Sequence, residues 1–291
     1  MSYKQYLKRA FKYVLKGESI KKVVANVSVL APSELLKGRT ALITGGTSGI
    51  GYEIACAFIN AGAEVVITGR TIEKLSKACK EIESRTSNSK MIHGVVMNNT
   101  QICDFNYKFK EIIDVVESHQ IDILVNNAGL VGGDIRDCTE EKYDAIMDTN
   151  LKGTFFLTQL VSKYMKDHFI EGNILNIGSS SSMRPAASAY TMTKWGIRGF
   201  TMGMAKNLAP YGITVNAIAP GPTATPMLMP DGIREDISFP TNPIGRYARP
   251  EEIANMAVIL TSNMGRTIVG DMVFMTGGAG VITYDDINYI F

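Results

Sequence analysis

Three side chains in this sequence, Ser179, Tyr190 and Lys194, have the types and spacing for proton chemistry at a carbonyl. Tyr190 and Lys194 stand four residues apart in a stretch of helical period, which puts both on one helix face. An ammonium beside a phenol favours phenolate and draws the tyrosine pKa down from about 10 toward working pH. Such a tyrosine can donate a proton in carbonyl reduction and accept one in alcohol oxidation. Ser179 follows the apolar run Ile174 to Ile177 and can hydrogen-bond the same oxygen. Ser180, Ser181 and Ser182 compete for that role; Ser179 is preferred because Asn176-Ile177-Gly178-Ser179 reads as a strand end. No GxSxG elbow or histidine partner accompanies these serines, which disfavours a hydrolase. A Tyr and a Lys four apart are common in helices, so the reading depends on the rest of the chain.

A second group of residues suits an anionic nucleotide. Thr44-Gly45-Gly46-Thr47-Ser48-Gly49-Ile50-Gly51 follows an apolar run and opens a helical stretch. Glycines at 45, 49 and 51 let the chain turn sharply, bringing backbone amides, including those of Thr47, Ser48 and Ile50, and the positive end of the helix dipole to a pyrophosphate. The next run ends Thr68-Gly69-Arg70, where an NAD-binding unit places a carboxylate for the ribose hydroxyls. Arg70 instead offers a guanidinium to a 2′-phosphate, which favours NADP(H) over NAD(H).

To position these groups the chain needs strands that deliver loops to one edge. Short β-branched runs (Thr40 to Thr44, Val65 to Thr68, Ile92 to Met97, Ile121 to Val125, Ile174 to Ile177, Thr214 to Ile218, Met272 to Met275) alternate with helical stretches. Those stretches are Ile50 to Ala61, Ile72 to Arg85, Phe105 to His119, Glu140 to Asn150, Thr154 to His168, Ala189 to Leu208 and Glu251 to Ser262. The alternation predicts an α/β fold: a Rossmann-like, doubly wound parallel sheet of about seven strands with helices on both faces. Nothing marks a second domain within 36–291. Pro220 to Pro250 holds seven prolines in 31 residues and reads as a long loop or lid.

With 291 residues, 45% hydrophobic, 20% charged and a net charge of +2, the chain is an ordinary globular protein rather than a disordered, fibrous or nucleic-acid-binding polyelectrolyte. The charge is uneven: residues 1–38 carry eight basic and two acidic side chains, +6, leaving −4 for the remainder. Tyr3, Tyr6, Leu7, Ala10, Phe11, Val14 and Leu15 recur at helical intervals there, so residues 1–35 are expected to form a basic amphipathic arm. Packing on the domain or a neighbouring subunit is favoured for it over a membrane surface. Cys56, Cys79, Cys103 and Cys138 lie apart from one another and from His93, His119 and His168, so neither a metal site nor a disulfide framework is expected. The absence of a long apolar run and of a signal-peptide pattern leads to an expected cytoplasmic location.

Taken in order, these motifs resemble the short-chain dehydrogenase/reductases of the single-domain type. The resemblance covers roughly 36–278 and rests on TGGTSGIG, Asn126-Asn127-Ala128-Gly129, Asn150, the serine, YTMTK at 190–194, Pro220-Gly221-Pro222-Thr223 and Gly277-Gly278. It implies that Tyr190 is the acid/base, that Lys194 lowers its pKa and holds the nicotinamide ribose, and that Ser179 orients the substrate. Asn150 would hold a water linking Lys194 to solvent. Asn126 would touch the adenosine-side ribose, Ala128 and Gly129 would steady the cofactor edge, and Pro220, Gly221 and Thr223 would flank the carboxamide. The family's usual oligomers imply a homodimer or homotetramer built on the 154–168 and 189–208 helices, with the arm contributing. Three departures stand out. Ser179 and Tyr190 are 11 positions apart, shorter than the family's usual interval; Asn98 stands where an Asp often borders the adenine; and Thr276 replaces a frequent Asp.

The expected activity is hydride transfer between NADP(H) and a ketone or secondary alcohol, with 3-oxoacyl, alicyclic or sterol-like substrates favoured. Met183, Met192, Met227 and Met229 could line an apolar pocket. A sugar or polyol dehydrogenase is the alternative, with Arg184, Ser188, Arg234 and Asn242 as polar contacts. An NADP(H)-sensing scaffold without turnover is the alternative of another class. Trp195 is expected to be buried or at a subunit contact.

Overall fold

The computed structural model describes residues 32–86, 91–229 and 236–283. The chain divides into two units, Met1–Ala31 and Pro32–Phe291, and every described residue belongs to the second. Most of the expected basic arm, residues 1–31, therefore lies outside the described residues. Its last residues open the second unit as a 3₁₀ turn, Pro32–Glu34, followed by Leu36, which is buried in the core.

The seven expected strands form one parallel sheet: β1 (Thr40–Ile43), β2 (Glu64–Gly69), β3 (Ile92–Val96), β4 (Ile123–Asn126), β5 (Asn173–Ile177), β6 (Thr214–Pro220) and β7 (Met272–Met275), in the order β3-β2-β1-β4-β5-β6-β7. β1, β2, β4, β5 and β6 are buried along their whole length, as a sheet covered on both faces requires. Alternate residues divide between two cores. Ile43, Ile67 and Ile123 pack with Phe58, Leu75 and Ile253 of α1 (Gly49–Asn60), α2 (Ile72–Arg85) and α7 (Pro250–Thr261). Leu42, Val66 and Leu124 pack on the opposite face with Phe109, Leu157 and Ala205 of α3 (Phe105–Val115), α5 (Gly153–Asp167) and α6 (Ala189–Leu208). The chain runs outward through β1, β2 and β3, then returns to place β4 on the other side of β1. That reversal leaves a crevice at the carboxyl ends of β1 and β4.

Two helices end more than one residue short of the periodicity. The 105–119 stretch stops at Val115. The expected helix from Glu140 to Asn150 stops being α-helical at Met147, as α4 (Glu140–Met147), and then runs without a break through a π-helical turn, Asp148–Lys152, into α5. One wider turn of this kind leaves no signature in hydrophobic spacing, and π-turns concentrate at functional sites. Asn150 lies inside it. No helix among the described residues is long and apolar enough to cross a membrane.

Candidate active site

A cleft of about 580 Å³ opens at the carboxyl ends of the strands, across the β1/β4 reversal. Most of the residues expected from the sequence line it: Gly45, Thr47, Ser48, Gly49, Ile50, Arg70, Asn98, Ala128, Gly129, Ser179, Tyr190, Lys194, Pro220, Gly221 and Thr223. Three do not. Gly51 packs underneath, Asn126 points into the opposite core, and Asn150 sits behind the wall.

The glycine turn is shaped by its neighbours. Gly45 has φ +65°, and a Cβ there would come within 2.9 Å of the Ala128 Cα. A Cβ on Gly51 would strike the Asn127 amide, so this glycine admits a close helix–loop contact rather than a ligand. The Thr44 hydroxyl accepts hydrogen bonds from the amides of Asn127 and Ala128, each 3.0 Å, and Asn127 Nδ2 donates to the carbonyls of Thr44 and Gly45, each 2.9 Å. Asn127 therefore locks the turn to the end of β4. Its neighbour Asn126 donates to Thr158 Oγ1 and Asn176 Oδ1, each 2.9 Å, on the α5/α6 side. The ribose contact expected of Asn126 is corrected on this ground: strand alternation sends consecutive side chains to opposite faces. Ser48, the N-cap of α1, makes no side-chain cap. The first amides of the helix thus face the cleft for an anion, and the cradle fits a dinucleotide pyrophosphate.

Beyond Arg70 a second hollow of about 520 Å³ is walled by Thr47, Ser48, Arg70, Thr71, Lys74, Lys77 and Glu81, the last paired with Lys77 at 3.8 Å. Lys74 and Lys77 went unnoticed in the sequence, although their spacing of three places both on one face at the start of α2, shortly after Arg70. Asn98 borders the cleft, its Oδ1 accepting from the Thr100 amide at 3.2 Å and hydroxyl at 3.1 Å.

At the other end stand the residues expected to carry proton transfer. Ser188 caps α6 by accepting from the Thr191 amide at 3.1 Å, and this fixes Tyr190 in the first turn. One turn later Lys194 is buried, donates to the Ile177 carbonyl at 2.7 Å and lies 5.5 Å from the Tyr190 ring centroid. Ser179 accepts from the Ser181 amide at 3.1 Å and reaches the Tyr190 phenol. Ser182, by contrast, is buried and donates to the Ser179 carbonyl. Burial dominates the titration of this pair. It pushes the Tyr190 phenol up, against the Ser179 hydrogen bond that lowers it, and pushes the Lys194 ammonium down to about 8. The expected drop of the tyrosine pKa under lysine control is therefore not what the cleft alone produces. Asn150 uses its amide elsewhere: Oδ1 accepts from the Leu130 amide at 2.7 Å, and Nδ2 donates to the Leu130 carbonyl at 2.8 Å and to Thr193 Oγ1 at 3.2 Å. Its side chain ties the loop after β4 to α6.

The remaining wall is apolar. Leu130, Val131, Met227 and Leu228 line it together with Phe239 and Tyr247, whose rings stack at 4.6 Å. Apart from Met227 these were not singled out in the sequence; Phe239 and Tyr247 reach the cleft from far along the chain. The described parts of the proline-rich segment, 223–229 and 236–248, carry the bridges Thr223↔Ala248 and Ser238↔Arg246, and the bidentate Arg246–Glu252 pair at 2.8 and 2.9 Å holds the second part to α7. Of the expected methionines only Met227 lines the cleft; Met192 is exposed on α6. Ser188 is occupied as a helix cap and Asn242 donates to the Thr276 carbonyl from a buried position, and neither lines the cleft. Arg184 is buried behind the serine turn against Gly280, and Arg234 lies outside the described residues. His93 bonds Glu64 at 2.7 Å near the opposite end of the sheet.

Comparison with known proteins agrees with this geometry. The family model for short chain dehydrogenase matches residues 39–236. The chain is 35% identical to the 3-oxoacyl-[acyl-carrier-protein] reductase FabG of Aquifex aeolicus, over 84% of this chain and 98% of that one. Among solved structures, the 3-ketoacyl-(acyl-carrier-protein) reductase of Brucella melitensis complexed with NADH superposes with a TM-score of 0.75 at 28% identity, covering 84% of this chain and all of that one. A gluconate 5-dehydrogenase described as putative, from Beutenbergia cavernae with bound NADP, gives 0.74 at 29%, covering 85% and 98%. The glycine turn, the Ser/Tyr/Lys cluster and the matched span together make this chain a member of the short-chain dehydrogenase family, nicotinamide-dependent oxidoreductases of alcohol and keto groups.

Proposed function

We propose that the protein is an NADP(H)-dependent reductase of ketones carried on an apolar or mixed framework, with Tyr190 as proton donor, Ser179 as the second hydrogen-bond donor and Lys194 as their electrostatic partner. The observation that carries it is the meeting of Ser179, Tyr190 and Lys194 beneath the Phe239/Tyr247 wall. The glycine turn would hold the pyrophosphate, Pro220, Gly221 and Thr223 the carboxamide end, and Arg70 with Lys74 a 2′-phosphate. Bound there, the reduced nicotinamide supplies the hydride. The protein's own residues handle the charge. Tyr190, kept in its phenol form by burial, is poised to donate its proton to the substrate oxygen as charge develops there. Ser179 stabilises the same oxygen. Lys194, an ammonium below about pH 8, lowers the cost of the phenolate left behind.

NADP(H) is preferred because three basic side chains, against the one carboxylate Glu81, and the hydroxyls of Thr47, Ser48 and Thr71 surround the hollow at the adenosine end. Likeness to a 3-oxoacyl reductase and the apolar wall support a 3-oxoacyl or alicyclic ketone over a polyol. A homo-oligomer through α5 and α6 is supported by Phe155, Phe156 and Met202, which stand exposed on those helices. The test is a titration of the protein with NADPH and NADH by nicotinamide fluorescence, followed by a panel of a 3-oxoacyl thioester, a cyclic ketone and a keto-sugar acid. Tighter NADPH binding and oxidation by one of the first two are expected. Tighter NADH binding would overturn the role of Arg70, and turnover of the sugar acid alone would overturn the substrate class.

A further inference from the structure

Helix α6 does more than carry Tyr190 and Lys194. It donates three side-chain hydrogen bonds to backbone carbonyls on both sides of Ser179. Lys194 Nζ reaches the Ile177 carbonyl at 2.7 Å, Arg198 Nη1 the Ser182 carbonyl at 3.1 Å, and Trp195 Nε1 the Arg184 carbonyl at 2.9 Å. The first of these belongs to the site already described; the other two have no part in it. Arg198 lies 5.6 Å over the Trp195 ring and 5.6 Å over the ring of Phe274 in β7, so the two donors are held as one unit against the sheet.

The segment they grip is the one that presents the serine. After Gly178, whose amide still donates to the Ile218 carbonyl of β6 at 2.7 Å, the chain leaves the sheet, makes the 3₁₀ turn Ser180–Met183, and pairs again at Ala187 and Ser188, which face Ile135 and Asp134. Inside the turn, the Ser182 amide and hydroxyl both donate to the Ser179 carbonyl, at 3.0 and 2.7 Å. A shift of Ser182 or Arg184 is thus passed to the peptide of Ser179 itself. Only 11 positions separate Ser179 from Tyr190, which leaves the loop little slack to correct such a shift.

We infer that Trp195 and Arg198 are positioning residues that set Ser179 against Tyr190 by clamping the turn after it to the helix that bears the tyrosine. The inference rests on the catalytic reading of Ser179 and Tyr190, and the two can be told apart. The experiment is a double-mutant cycle with S179A and W195F in the full chain, alongside R198M and R198K, reading kcat, KM, NADPH affinity, melting temperature and native mass. W195F keeps an aromatic ring and removes the N–H donor. It is expected to lower kcat about tenfold, through displacement of Ser179, with NADPH affinity and native mass unchanged. In the S179A background the same substitution should cost nothing further, because the group it positions is gone. R198M should behave like W195F, and R198K, which keeps a donor for the Ser182 carbonyl, should recover most of the loss. Equal cost of W195F with and without Ser179, or a loss of kcat that tracks melting temperature or native mass in both W195F and R198M, would overturn the clamp. An S179A enzyme with full kcat would instead overturn the catalytic reading beneath it.

Discussion

The two ends of the sheet use polar residues in opposite ways. At the amino ends, polar side chains bind one another. Asp122, just before β4, accepts from the Thr40 amide at 2.9 Å and from Gln120 Nε2 at 2.8 Å, with the Arg39 guanidinium 3.6 Å away. Arg39 goes on to Asn173 at 2.9 Å, Asn173 to Thr214, and Glu64 at the start of β2 holds His93. The belt crosses from β3 to β6 and turns its bonding capacity inward. At the carboxyl ends, Ser179, Tyr190, Lys194, Arg70 and Asn98 converge on a cleft. The belt stabilises the fold, and the cleft holds groups whose full partners are ligand atoms. Substitutions should therefore separate stability from activity according to the end they strike.

The sharpest separation is expected at Lys194. Lys194→Met should lower kcat by about 10²–10⁴-fold, since it removes the charge that supports proton transfer, while the fold persists; steady-state kinetics and circular dichroism read the two effects. At the other end, Asp122→Ala leaves the buried Thr40 amide without its acceptor and the half-buried Arg39 without its carboxylate. It should cost about 3 kcal/mol, or roughly 6–12 °C in Tm, with kcat intact below the transition. An Asp122→Ala enzyme that melts normally but turns over slowly would break the comparison. Arg70→Ser comes next: NADPH affinity should fall about ten- to a hundredfold by fluorescence titration, from loss of a charge-assisted bond, with NADH affinity unchanged.

The smallest effect is a pH dependence. Folding lowers the Lys194 pKa from 10.5 to about 8. The buried ammonium therefore costs stability below pH 8, and stability gains as pH rises through 8 toward 10.5, where the folded form has already released its proton. Activity should move the other way, kcat/KM falling above about pH 8 as the charge is lost. Parallel curves of Tm and kcat/KM for the native enzyme, with the stability gain absent from Lys194→Met, check both signs.

The fold was largely legible in the sequence because each buried strand is a short β-branched run, and α1, α2, α5 and α6 announce themselves by helical period. The glycine turn and the Tyr190/Lys194 pair were legible for the same reason: both are local patterns, four to eight residues long. What was lost depends on orientation or on distant chain. Asn126 and Asn127 are adjacent and identical in type, and only the phase of β4 decides that Asn127 braces the turn while Asn126 enters the core. The π-turn around Asn150 alters a hydrogen-bond register without altering composition. Phe239 and Tyr247 reach the cleft only because the proline-rich segment returns to it, which no local period encodes.

The central claim is that Tyr190 is the proton donor of an NADP(H)-dependent ketone reductase, and Tyr190→Phe tests it most directly. The variant keeps the ring and loses the hydroxyl. It should bind NADPH as the native protein does, by fluorescence titration, and lose ketone-dependent NADPH oxidation by at least about 10²-fold. Oxidation at the native rate would contradict the account.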